Sequence, residues 1–117
     1  ANPLACAVSI ASVSMLLEGD TPMWKSNVSR IEEDLRTLLP AASVLDTVAD
    51  VRVKGAIGVI EMKEPLDVPK VIQKCLEFGV WLRPFGRLLY TMPPYIMTSK
   101  ELSKVTNSMQ WIASLKD

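Results

Sequence analysis

The period of the apolar positions changes several times along the chain, and each change marks an element. Asn2 and Pro3 read as an N-cap followed by proline at the first helical position, and Gly19 supplies a stop, which predicts a helix near residues 3–18. Ala5, Cys6, Ala7, Ser9 and Ala11 leave it small or apolar nearly all round, so it expects neighbours on several sides. Those neighbours are either the core of this same domain or a second domain. Thr21 and Pro22 repeat the cap-plus-proline pattern. Trp24, Val28, Ile31, Leu35 and Leu38 then fall at steps of four and three, the signature of an amphipathic helix that Pro40 ends. Its other face, with Lys25, Arg30, Glu32, Glu33, Asp34 and Arg36, reads as a solvated surface.

A linking segment without firm pattern follows from Ala41 to Asp50. Val51 to Met62 reads as two strands or one bent strand, in which Gly55 and Gly58 suggest bulges or a close backbone approach. Their spacing matches no nucleotide-binding glycine pattern. Asp67 is placed to cap a short helix carrying Val68, Val71, Ile72, Cys75 and Leu76, with Gly79 as its left-handed stop. Val80–Arg83 and Leu88–Met92 then form an antiparallel hairpin across Pro84-Phe85-Gly86-Arg87, and Pro93-Pro94 closes it. Thr98 and Glu101 have the spacing of a capping box, and Leu102, Val105, Met109 and Ile112 mark a final amphipathic helix. The order predicts an α+β fold: a small antiparallel sheet covered by helices mainly on one face.

A length of 117 residues suits one domain with a real core. Thirteen basic residues balance thirteen acidic ones, so no long-range field favours nucleic acid or an anionic membrane. A 49% hydrophobic content and a mean hydropathy of +0.21 are high for a free-standing domain of this size, and predict apolar surface that something else covers. Cys6 and Cys75 lie in apolar helical patterns and read as buried thiols of a reducing, cytoplasmic compartment; no metal-ligand spacing of Cys or His is present. The absence of histidine removes the usual general base and the commonest transition-metal ligand, which disfavours a self-contained hydrolase or zinc enzyme. Leu4 to Leu17, broken by three serines, is too short for a comfortable membrane span and follows no basic region. The opening Ala1-Asn2-Pro3, without methionine, leads us to expect a fragment of a longer protein.

The chemistry concentrates at residues 79–97. Arg83 lies between two strand-like apolar runs and beside a turn, where a planar guanidinium is held ready to grip a carboxylate with two parallel hydrogen bonds. An internal salt bridge or a solvated edge position is the alternative for the same residue. Trp81 reads as core packing and Arg87 as a solvated turn residue.

Four blocks carry a family resemblance: Asn2-Pro-Leu-Ala-Cys-Ala-Val8, Asp50-Val-Arg-Val-Lys-Gly-Ala-Ile-Gly-Val-Ile-Glu61, Gly79-Val-Trp-Leu-Arg-Pro-Phe-Gly86 and Leu89-Tyr-Thr-Met-Pro-Pro-Tyr95. In order and spacing the chain resembles the C-terminal part of the adenosylmethionine-8-amino-7-oxononanoate aminotransferases, class III pyridoxal-phosphate enzymes of fold type I that serve biotin synthesis. The first two blocks resemble many class III aminotransferases; the last two point more narrowly. The resemblance implies residues 1–20 as a helix linking to a missing cofactor-binding domain, and residues 21–117 as the C-terminal small domain. It implies pyridoxal 5'-phosphate as the cofactor, a homodimer, and amino transfer from S-adenosylmethionine by way of the cofactor to 8-amino-7-oxononanoate. It assigns the substrate carboxylate to Arg83, with Phe85 and Arg87 as possible lining residues. The family's Schiff-base lysine, its aspartate facing the pyridinium nitrogen and its phosphate segment match nothing in these residues, so no catalytic or cofactor-binding residue is assigned and the fragment alone is expected to be inactive. Another class III aminotransferase and a non-catalytic interaction domain presenting its apolar first helix are the competing readings.

Overall fold

The computed structural model describes residues 1–115. Four α-helices, α1 (Pro3–Leu17), α2 (Met23–Leu38), α3 (Val68–Phe78) and α4 (Ser99–Ser114), accompany four strands, β1 (Val48–Lys54), β2 (Ile57–Met62), β3 (Arg83–Phe85) and β4 (Leu88–Thr91). The strands form one antiparallel sheet in the order β1-β2-β4-β3, which is the α+β arrangement expected from the sequence.

Alternation within the strands separates two faces of this sheet. Ile60 and Leu89, fully buried and paired across β2 and β4, face the helices together with Met62 and Thr91. Ile60, Met62 and Leu89 pack with Val71 and Cys75 of α3 and Met109 and Ile112 of α4 in one apolar cluster, while Ile31 and Leu35 of α2 pack with Leu102 of α4 in a second. Gly58 stands where α2 and the 3-10 turn after it press on the sheet, since an added Cβ would lie 3.1 Å from both Leu35 and Leu39. That is the close approach expected of this glycine. Gly55, with φ at +55°, instead makes the turn between β1 and β2, and the bulge lies between Val48 and Asp50. The bulge lets both Val48 and Val51 turn toward the core although they are three residues apart.

Local signals placed most of the ends correctly. Asp67 accepts the Lys70 N–H, and Gly79 closes α3 in the left-handed region at φ +66°. Thr98 and Glu101 complete a reciprocal capping box on α4. The Thr98 N–H and hydroxyl hold the Glu101 carboxyl below its ordinary value of 4.5. A depressed carboxylate contributes stability above its unfolded-state value and loses it as pH falls through the folded-state value. Glu101→Gln is therefore expected to flatten the acid limb of the stability profile below about pH 4.5, as followed by circular dichroism.

Five expectations require correction. Thr21 is not a cap: Pro22 occupies the N-cap of α2 and no side chain bonds the helix end, because the helix begins one residue late for Thr21 to reach it. The segment 41–50 is not plain linker, since a 3-10 turn covers Leu39–Val44 and β1 begins at Val48. Val80–Leu82 are not strand: the Val80 N–H is drawn back to the Cys75 carbonyl, which completes the helix stop and delays β3 to Arg83. Pro84 belongs to β3, an edge strand that tolerates it, and the hairpin turn shrinks to Gly86-Arg87. Finally, α1 is not a core helix of this unit. None of its residues is buried, with Leu4 74% and Ile10 68% exposed, so Cys6 is exposed as well.

Candidate functional site

The face of the sheet turned away from the helices carries the candidate site. Register places Arg83 opposite Tyr90, Tyr90 opposite Val59 and Val59 opposite Arg52, all on that open face. A second row, one step along the strands, runs from Phe85 through Leu88 and Glu61 to Asp50. Phe85 is 73% exposed and Trp81 67% exposed, each large enough to bury apolar ligand surface beside Arg83. Trp81 is therefore not a core residue: between the α3 stop and β3 it is Leu82 that turns inward, and Trp81 is left outside.

Backbone bonds hold this hairpin rigidly. The Met62 N–H donates to the Arg87 carbonyl at 2.7 Å and the Leu66 N–H to the Gly86 carbonyl at 2.8 Å, which ties the β3–β4 turn to the end of β2. From the other side, Arg30 reaches out of α2 to the carbonyls of Met97 at 2.6 Å and Tyr95 at 3.2 Å. Arg30 is thus a tether of the loop after β4 rather than part of a solvated charge run. Helical spacing put it among five other charges, and nothing local signalled a partner 67 residues away.

The arginines of the open face divide into two kinds. Arg52 donates to Glu61 at 2.6 Å and to Asp50 at 2.8 Å, and Arg87 donates to the other oxygen of Glu61 at 3.3 Å. Glu61 and then Asp50 raise the Arg52 pKa, and Arg52 in turn lowers that of Asp50. Arg83 is exposed, and among the described residues no carboxylate pairs with it. Of the two arginines of the hairpin, one is compensated and the other is available to an incoming anion.

Other reactive groups lie elsewhere. Burial pushes the Cys75 thiol up, keeping it protonated and inert. A cleft of about 370 Å³ opens between the start of α3 and the end of α4, lined by Asp46, Lys63, Asp67, Lys74 and Ile112 among others, but not by Arg83, Phe85 or Arg87. Among the described residues no lysine is buried, so none has the desolvated setting that keeps an amine nucleophilic. Among them, too, no helix is long and apolar enough to cross a membrane.

The chain matches known proteins over nearly its full length. Residues 1–113 match the class-III aminotransferase family model, and the chain belongs to that family. It is similar to the adenosylmethionine-8-amino-7-oxononanoate aminotransferases of Corynebacterium glutamicum (51% identity over 93% of the chain and 25% of the relative) and Mycobacterium leprae (49% over 98% and 26%). The chain thus spans about a quarter of the length of these relatives. Among solved structures, the enzyme of the same name from Methanocaldococcus jannaschii superposes with a TM-score of 0.74 at 24% identity, over 96% of this chain and 27% of that one. The ornithine aminotransferase of Toxoplasma gondii, whose active site carries PLP in partial occupancy, superposes at 0.77 with 23% identity over 97% and 27%. At such identities the two superpositions establish the fold.

The cofactor of this family is pyridoxal 5'-phosphate. Among the described residues every lysine side chain is at least partly exposed, and the sequence holds no histidine.

Proposed function

We propose that the chain is the C-terminal part of an adenosylmethionine-8-amino-7-oxononanoate aminotransferase, and that Arg83 binds the carboxylate of 8-amino-7-oxononanoate. The single observation that carries the assignment is the unpaired Arg83 guanidinium on the open sheet face, beside a neighbouring arginine that Glu61 already compensates. A bare planar fork fixed on a strand matches a carboxylate bidentately and loses little entropy on binding. Phe85, on the same face two residues along, offers apolar surface to the ligand's methylene chain. Arg87 then has an electrostatic task within the protein rather than a direct contact to substrate.

In this reading the cofactor, held by other parts of the whole protein, supplies the electron sink for moving the amino group from S-adenosylmethionine to the ketone. Arg83 fixes the far end of the substrate, so that the ketone end is presented to that chemistry at a set distance. Residues 1–20 link the small domain, residues 21–117, to the cofactor-binding part. The exposed apolar surface of α1 supports that division, because a helix with Leu4, Val8, Ile10 and Met15 in water needs further polypeptide, from the same subunit or from the second subunit of a homodimer, to cover it.

Purified whole protein, loaded with pyridoxal phosphate and given S-adenosylmethionine and 8-amino-7-oxononanoate, is expected to form 7,8-diaminononanoate, detected by mass. Turnover of an ω-amino acid or ornithine, with none of the oxononanoate, would instead place the chain with another class III aminotransferase.

A further inference from the structure

The open face of the sheet has two unlike ends, and the antiparallel register assigns its residues to one or the other. At the end where β3 finishes, Phe85 is followed across the strands by Leu88, Glu61 and Asp50, and the ion pairs of Glu61 and Asp50 with Arg52 and of Glu61 with Arg87 gather there. At the end where β3 begins, Trp81 precedes Arg83, Met92 follows β4 and Ile57 opens β2, and all three are exposed. Lys54, opposite Ile57, lies on the far edge of the sheet. Arg83 stands in the row between, with an apolar end on one side and a charged end on the other. Leu82 is buried between Trp81 and Arg83, so these two exposed side chains leave the backbone on the same side. At the rise of an extended segment their Cα atoms are about 6.6 Å apart, an interval that an indole spans.

We propose that the carbon chain of an acid held by Arg83 leaves the carboxylate toward the apolar end of the face, over Trp81 and Met92, and that Trp81 is a specificity-determining residue that selects acids with a long, unbranched chain of methylenes. This rests on the assignment of Arg83 as the carboxylate-binding residue. The opposite course runs past Phe85 and Leu88 to Glu61 and Asp50, where methylenes would displace water from charged groups and offer them no hydrogen bond in return. Over Trp81 each methylene leaves water for apolar surface, a gain of about fourfold in affinity where burial is complete. A short acid satisfies Arg83 as well as a long one does, so discrimination by length falls to the apolar end. Phe85 borders the first methylenes from the other side.

Butyrate and octanoate test this, since they share the carboxylate and differ by four methylenes. Each is measured as a competitive inhibitor against 8-amino-7-oxononanoate in the whole, cofactor-loaded enzyme. The wild type is expected to bind octanoate about 100-fold more tightly than butyrate. Trp81→Ala should weaken octanoate about tenfold and leave butyrate within about twofold, a change in the ratio that a merely structural role of Trp81 would not produce. Phe85→Ala should move the ratio less than Trp81→Ala does. Trp81→Leu, which keeps an apolar side chain at that end, should give a smaller shift in the same direction and decides the matter if the alanine variant does not fold. A ratio unchanged in both Trp81 variants, while Arg83→Ala weakens both acids at least tenfold, overturns the proposal and leaves Arg83 standing. Equal weakening of butyrate and octanoate by Trp81→Ala overturns it too, because Trp81 then acts by packing against the rest of the protein. A larger change of the ratio in Phe85→Ala reverses the direction of the chain and overturns it as well. Inhibition by both acids that is insensitive to Arg83→Ala overturns this proposal together with the carboxylate assignment.

Discussion

Arg83→Ala in the whole enzyme is expected to raise the Michaelis constant for 8-amino-7-oxononanoate by about 10- to 150-fold, the equivalent of the 1.5–3 kcal/mol that a charge-assisted hydrogen-bonded contact contributes. The size follows from what Arg83 lacks. Since no carboxylate of the described residues pairs with it, its removal orphans no internal partner, and the loss falls on the ligand. Arg83→Lys keeps the charge but not the planar fork, and an intermediate loss is expected. An analogue with the same amino-ketone and no carboxylate isolates the pair: the wild type should handle it about as poorly as Arg83→Ala handles the acid, and the substitution should cost that analogue little more. Equal sensitivity of the acid and of the analogue to Arg83→Ala would sink the carboxylate role.

Leu89→Ala is expected to be the most destabilising single change near the site, by about 2–5 kcal/mol, read from the urea midpoint of the chain. Leu89 is fully buried on β4, opposite Ile60 on one side and Pro84 on the other, so its side chain joins the sheet to the helical layer under both neighbours. Truncation removes apolar contacts and leaves a cavity where α3, α4 and the sheet meet. Strand β3, only three residues long and bonded to the sheet through β4 alone, depends on this packing for the position of Arg83. A shift below about 1 kcal/mol would mean that the hairpin is held by its backbone ties to Met62 and Leu66 and not by its core face.

Interactions that close within four residues were legible before any coordinates. Asp67 with Lys70, Gly79 after Leu76, and Thr98 with Glu101 each draw on neighbours along the chain, so residue type and spacing are sufficient to place them. Patterns that depend on what lies across the fold misled in specific ways. Arg30 looked like surface and is a tether; Trp81 looked like core and is exposed; Cys6 looked buried and lies on a helix with no neighbour to bury it. Hydrophobicity marks a side chain as able to be buried, while burial itself needs a partner surface.

The same boundary runs through the site. Residue order alone determined the α+β class, the starts of α1, α3 and α4, the presence of a hairpin and the candidacy of Arg83, because each rests on periodicity, on capping chemistry or on the fixed chemistry of the guanidinium. Only the tertiary structure separated Arg83 from Arg87. Antiparallel pairing of β2 with β4 sets Glu61 opposite Leu88, beside an arginine 26 residues further along the chain, and that register pairs Arg87 while leaving Arg83 open. Charge compensation acts through distance in space, and distance between strands is decided by register rather than by either strand's own composition.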